Sequence, residues 1–509
     1  MDYYTDVAEV PTIVAAVRET SAKGIPRELQ WRREQLSQLK RMMEENEGAI
    51  AEALATDLRR PYTEAVIIEV WDVLAEVIYF EKNLEKLSRT DKLQTPLKMK
   101  PLSFEVWKEP RGVVTIIAPW NFPVSLILGP LAGALAAGNS CVLKPSEVSE
   151  AISRVLAEII PKYFDRSCVG VVSGGVEQTT ALLAEKVDCI MYTGGGHVGK
   201  IVLAAAAKNL TPVTLELGGK CPVYIDQSAN LETAARRIAY FKTLNCGQVC
   251  IAPDHILVHE KVRDAFLEHL NKEHDSLYPG KEKDNPDKSR IINGRHFKRV
   301  SALLDGHGGE VVRGGNSVEL ERYLDFTVIT DPAPDSPLMQ EEIFGPILPV
   351  IKVGSVEDAI SYCKCRPIPL AAYVFERDAT IRKKWLSQVA SGGACVNDCL
   401  YHISNKELGF GGKGESGMGA TKGRASFETF THRKVVGIQP ANFDIRSKYP
   451  PLPQKLTSFM KMLFLGELPS WVKMTWRGMI GVAVAGLAYL VSQHVSVSIV
   501  SNSITLSVY

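Results

Sequence analysis

Between residues 112 and 217 the chain repeats one pattern, a short β-branched apolar run followed by a stretch of helical length. The runs are GVVTIIAP at 112–119, SCVLK at 140–144, VGVVS at 169–173, IMYT at 190–193 and VTLEL at 213–217. Runs without polar alternation fit strands covered on both faces. Strands separated by a helix are too far apart in sequence for hairpins, so they pair in parallel, with crossovers laying helices on the sheet. Ligands in such sheets bind in loops at the strand C-termini. The alternation resumes at residue 222, with strands expected at 222–225, 256–258, 348–352, 371–375 and 393–397. A second α/β domain follows from it.

A chain of 509 residues, 45% hydrophobic, can build more than one core. Lys plus Arg (59) nearly balance Asp plus Glu (58), so no global field gathers nucleic acid. Ten cysteines without paired CxxC units predict reduced thiols in a cytosol-facing protein, with no metal site. The start, MDYYTDVAEV, has no basic region followed by an apolar core and reads as lacking a signal peptide. Residues 6–87 read as helices, with one stripe through Leu36, Leu39 and Met43 and another through Val66, Val70, Val73, Val77, Phe80 and Leu84. Pro96 and Pro101 break this periodicity and predict an extended arm at 92–107.

The chemistry gathers around FKTLNCGQVCIA at 241–252. Cys250 follows Gly247-Gln248-Val249, and a thiol is a strong nucleophile even when only a few per cent is ionised. Alone, a free Cys reads as a small buried hydrophobe. Glu216 in LELGGK and Asn121 in PWNFP change that reading, because they add a base and an oxyanion donor. Cys246 lies four residues before Cys250, on the same face if this loop is helical. TGGGHVG at 193–199 joins a strand to a helix whose first N–H groups can meet a pyrophosphate. Lys144 and Glu147 end another strand, where a carboxylate accepts from ribose hydroxyls and repels a 2′-phosphate, leaning towards NAD with NADP possible. Glu342 on its own reads as a surface charge, and His402 as a packing histidine.

PWNFP, KPSE, TGGGHVG, LELGGK, NCGQVC, EEIFGP and GESGMG occur in one order, and together they resemble the aldehyde dehydrogenase superfamily over residues 7–440. The short start resembles the class 3 and fatty aldehyde dehydrogenase branch. The resemblance implies Cys250 as nucleophile, Asn121 with the Cys250 N–H as oxyanion hole, and Glu216 as base for the hydrolytic water. It implies Lys144 and Glu147 on the adenosine ribose, Gly194, Gly195 and Gly199 on the diphosphate, and Glu342 and Phe344 at the nicotinamide. It also implies two parallel-sheet domains: NAD(P)-binding at 1–91 and 108–215, catalytic at 216–405, with an oligomerisation arm at 92–107 and 406–440 and a homodimer. The expected reaction is oxidation of medium- or long-chain aldehydes to acids. A CoA-acylating enzyme and a catalytically silent tail-anchored scaffold are the alternatives. The chain departs from the family at Gly195 and Gly196, where Ser or Asn and then Thr are usual, and at Thr421-Lys422, where class 3 relatives have Tyr-His.

Residues 478–509 contain no Asp, Glu, Lys or Arg. A C-terminal hydrophobic helix at 478–500 would approach the ~20 residues a membrane span needs. Lys461, Lys473 and Arg477 precede it and no cation follows, so the enzyme is expected to face the cytosol from the endoplasmic reticulum, mitochondrial outer membrane or a lipid droplet. The alternation of serines and valines at 492–500 is β-like. Residues 441–477 form the linker, whose amphipathic part at 458–465 is a candidate cover for the substrate entrance.

Overall fold

The computed structural model describes residues 3–96, 99–444, 449–451, 465, 495–500 and 503–508. They fall into two compact units, one of residues 1–89 and 108–433, the other of 90–107 and 434–509.

The first unit holds both parallel sheets. The first sheet takes the strands Val113–Ile117, Ser140–Lys144, Val169–Val171, Cys189–Thr193 and Val213–Glu216. In space they run third, second, first, fourth, fifth, all parallel, and the short strand Gly417–Met418 closes the far edge antiparallel to the fifth. Strand order reverses between the first and fourth strands, which opens a crevice at their C-terminal ends. Helix Ser125–Ala136 leaves the first strand's loop and is buried along nearly its whole length. Helices packed around it, with the stripe Val66, Val70, Val73, Val77, Phe80 and Leu84, complete the core on that face.

The second sheet is centred on the parallel pair Pro222–Ile225 and His255–His259. Ile347–Val353, Thr327–Thr330 and the antiparallel Glu310–Arg313 extend it on one side, Ala371–Phe375 and Gly393–Val396 on the other. Only residues 217–221 separate the last strand of the first sheet from the first strand of the second. The second sheet therefore turns its N-terminal edge to the crevice, and the segments that reach it (217–221, 250–254 and 341–346) all precede their strands. This corrects the expectation that loops at strand C-termini carry the site: that holds for the first sheet and is reversed in the second.

In the second unit, Asp91–Leu93 pairs antiparallel with Ser103–Pro110, and Thr431–Ile438 follows as the outer strand of the three. The expected C-terminal helix does not hold through residue 500. Val495–Val500 is a strand, paired antiparallel with Ser503–Val508. The serine–valine alternation has the two-residue period of a strand and not the period of a helix. Residues 478–494 of the candidate anchor, and the gate segment at 458–464, lie outside the described residues. Among the described residues no helix is long and apolar enough to cross a membrane.

Candidate active site

Two chambers, of about 280 and 300 Å³, meet at Cys250 and Leu126. Both are at the lower end of small-molecule sites. The first lies in the crevice between the first and fourth strands and is lined by Asn121, Gly194, Gly195, Glu216, Glu342 and Phe344. The second is apolar over most of its wall, with Ile67, Ile68, Phe122, Leu244, Ile251 and Phe410. Of the residues singled out in the sequence, seven converge on the first chamber: these six and Cys250.

Cys250 is delivered by a loop that cannot be helical. Asn245, Cys246 and Gly247 have φ of 48°, 56° and 73°, three left-handed residues in a row. A Cβ on Gly247 would clash with the Gly345 carbonyl. Gln248, fully buried, bonds the loop on both ends of its amide: Nε2 donates to Asn245 O (2.9 Å) and Arg290 O (3.0 Å), and Oε1 accepts from Ile292 N (3.0 Å). The shared helical face imagined for the two cysteines is absent. Cys246 turns into a separate apolar cluster with Ile291, Phe297 and Val300, where burial pushes its thiol up to about 11.

Asn121 donates from Nδ2 to Gln248 O (3.0 Å), which leaves one N–H of its amide for the chamber. The main-chain carbonyl of Asn121 accepts from Asn245 Nδ2 (3.0 Å) and from Arg60 (2.5 Å). Arg60 is itself buried against Glu69, whose second oxygen accepts from Val124 N and Ser125 N (3.1 and 2.7 Å). Glu64 accepts from Asn245 N (3.2 Å). These three charges frame both the Asn121 turn and the cysteine loop, and sequence reasoning missed them. Their only signal was charge inside an apolar helical stripe, RRPYTEAVIIEV.

Both oxygens of the Glu216 carboxyl are buried without a hydrogen bond, and burial holds it well above the usual carboxylate range, against the Thr421 hydroxyl and Lys422 ammonium. The Cys250 thiol is pushed up to about 12, first by burial, then by Glu342 and Glu216. The sulfur is thus held protonated at neutral pH, where the sequence suggested partial ionisation. A second acid in the same chamber raises the energy of any added negative charge.

The dinucleotide end fits. Thr193 Oγ1 is buried at the rim of the chamber without a partner, and Gly195 and Gly196 at the start of helix Gly196–Ala207 face open space. Those are the first N–H groups of a helix, suited to phosphate oxygens. Gly199 sits one turn in, buried, where a Cβ would press on Leu217; its role is close helix–strand packing, and it does not line the chamber. Lys144 and Glu147 lie outside the chamber as well. They end the second strand as an ion pair at 3.2 Å, Lys144 buried and also bonded to Pro145 O. Phe344 has φ 46°, rare for a bulky residue, and its ring meets Trp120 edge-on at 5.4 Å. His296, which the sequence did not single out, meets Trp120 in a tilted ring contact at 4.7 Å. His402 packs against Tyr373 and Phe410 and does not itself line either chamber.

A doubly wound sheet whose switch point opens onto a half-buried cysteine defines a nucleotide-binding α/β enzyme. Comparison with known proteins gives the family: the profile of the aldehyde dehydrogenase family matches residues 3–436. Among curated proteins, "Aldehyde dehydrogenase, dimeric NADP-preferring" of Mus musculus is 43% identical over 452 residues, 88% of this chain and 99% of that one. "Aldehyde dehydrogenase family 3 member A2" of Rattus norvegicus is 43% identical over 457 residues, 89% of this chain and 94% of that one. A solved structure described as the substrate-bound state of Staphylococcus aureus AldH superposes with a TM-score of 0.85 at 39% identity, covering 87% of this chain and 96% of that one. The chain belongs to the aldehyde dehydrogenase family, with class 3 members among its relatives.

Proposed function

We propose that the protein oxidises medium- and long-chain aldehydes to carboxylic acids through a covalent intermediate on Cys250. Aldehyde oxidation with NAD(P) follows from the family; the chain-length reading is carried by the apolar chamber that ends on the sulfur. In this reading the Cys250 Sγ bonds to the aldehyde carbon while its proton leaves to a base. The carbonyl oxygen gains charge and takes the free Asn121 N–H, a type of contact whose removal typically raises a barrier by about 3–4 kcal/mol. NAD(P), when bound, supplies the hydride acceptor. Glu216 then takes a proton from the water that attacks the thioester carbon, the C–S bond breaks, and the acid leaves with the thiol restored. Lys144 and Glu147 would hold the adenosine ribose, Gly194 and Gly195 the diphosphate, and Glu342 with Phe344 the nicotinamide end.

The test is reduced-cofactor formation across an aldehyde length series, with and without CoA. We expect kcat/KM to rise by up to about fourfold per added methylene until the chamber is filled, from about 0.8 kcal/mol per buried CH₂. Cys250→Ala abolishes turnover and Cys246→Ala keeps it. A flat series removes the chain-length reading, and an active Cys250→Ala removes the nucleophile.

Two further parts of the reading concern assembly. The outer strand Thr431–Ile438 exposes the apolar side chains of Val435 and Ile438, which suit packing against a second copy, and the mouse relative is named as dimeric. The 17 uncharged residues 478–494 precede the C-terminal hairpin and are our proposed membrane anchor, at the short end of the ~17–25 residues of known spans.

A further inference from the structure

Thr421 and Lys422, the pair by which this chain departs from its class 3 relatives, stand against the reactive residues. Gly417 pairs with Glu216, and Leu217 N donates to Ser416 O (3.1 Å). Further along, Thr421 exchanges backbone hydrogen bonds with Phe410 (2.7 and 2.8 Å), and Gly423 N donates to Glu76 Oε2 (2.8 Å). Between these two pins Lys422 is held at φ 70°, ψ 130°, a conformation that residues with a Cβ seldom adopt. Such strain persists where the surroundings over-determine it, and it clusters at functional sites.

The side chain so placed lines the aldehyde chamber together with Cys250 and Asp72. Its Nζ lies 3.0 and 3.3 Å from the two Asp72 carboxylate oxygens. Lys406 approaches the same carboxylate at 2.7 Å and Glu76 at 2.9 Å, so two amines balance two acids. The charged or titratable groups bearing most on Cys250 are Glu342, Glu216 and Lys422; on Glu216, Lys422 with the Thr421 hydroxyl. In each set Lys422 is the cation, and it favours the charged form of both.

We propose that Lys422, clamped on Asp72, is a positioning residue for the chemistry at Cys250: it fixes a positive charge in the chamber wall against which the sulfur, and then the Glu216 carboxylate, carry negative charge. An ammonium fixed in a partly buried wall acts with far less screening than one in water. A neutral side chain at 422 leaves the acids Glu342 and Glu216 as the charged groups that bear most on the thiol. Asp72→Asn keeps a carbonyl oxygen to hold the ammonium while removing the charge that offsets it, and so strengthens its pull. The inference rests on Cys250 as nucleophile and is independent of aldehyde length.

The experiment is the rate of iodoacetamide alkylation of Cys250 in the full-length protein, without aldehyde or cofactor, against pH, with Cys250→Ala as the blank. At about pH 8, Lys422→Met is expected to slow alkylation about tenfold, as one unit of thiol pKa does. Lys422→Arg restores the rate, and Asp72→Asn raises it above that of the unaltered protein. An unchanged rate in a folded Lys422→Met, or Lys422→Met and Asp72→Asn moving the rate in one direction, overturns the proposal. Should Lys422→Met fail to fold, Asp72→Asn decides alone: a rate not above the unaltered protein's overturns it. Loss of signal confined to Cys246→Ala would instead remove the nucleophile reading itself, a separate outcome.

Discussion

Glu342 shows how the site trades ionisation against stability. Burial, opposed by the Gly219 N–H and by Arg299 and Lys220, pushes its carboxyl up to about 8. The folded chain thus binds a proton between pH 4.5 and about 8 that the unfolded chain has released, and stability falls as pH rises through that window. Glu342→Gln should flatten this loss, seen as a smaller drop in Tm from pH 5 to pH 8. Equal drops in both proteins would show that Glu342 is not the group responsible. At this scale the site was largely legible. Cys250, Glu216, Asn121, Glu342 and Phe344 share one chamber because each sits in a short motif whose glycine or proline pins the turn. Arg60, Glu64 and Glu69 were not legible, because a charge on a helix reads as solvated until tertiary packing buries it.

Among the elements, the helix over the apolar chamber has a feature its apolar pattern conceals. Residues Tyr62–Ala65 are α-helical, Val66–Val70 form a π turn, and Trp71–Ser88 resume the α-helix. The stripe Val66, Val70, Val73, Val77, Phe80, Leu84 passes through with ordinary spacing, so periodicity gave no sign of the widened turn. The wide turn is what lets Ile67 and Ile68 reach the chamber while Glu69 reaches Arg60. Deleting Ile67 narrows it and takes one of those contacts away. We expect KM for a long-chain aldehyde to rise about tenfold, roughly the loss of two buried methylenes, with cofactor affinity unchanged; an unchanged KM would dismiss the π turn as a determinant. The cysteine loop was opaque for a similar reason. Its three left-handed residues include Asn245 and Cys246, and only Gly247 announces such a backbone in sequence.

For the whole molecule, the βαβ alternation predicted both parallel sheets, apart from Glu310–Arg313 and Thr327–Thr330 at the edge of the second, and the motif order predicted the family. The reversed edge of the second sheet was not legible, since it depends on the short crossing at 217–221 and not on any strand's own residues. The tail remains the part argued from composition alone. Truncation after Met474 should move the protein from the membrane pellet to the supernatant while short aldehydes are still oxidised; a truncated protein still in the pellet would refute the anchor.

Cys250 stands where two chambers touch, with Leu126 as their common partition. A site of this plan is a corridor with a door at each end and not a dead-end room. On the proposed reading an apolar aldehyde and the nucleotide would reach the sulfur from opposite chambers, so an acid could depart while the nucleotide stays seated.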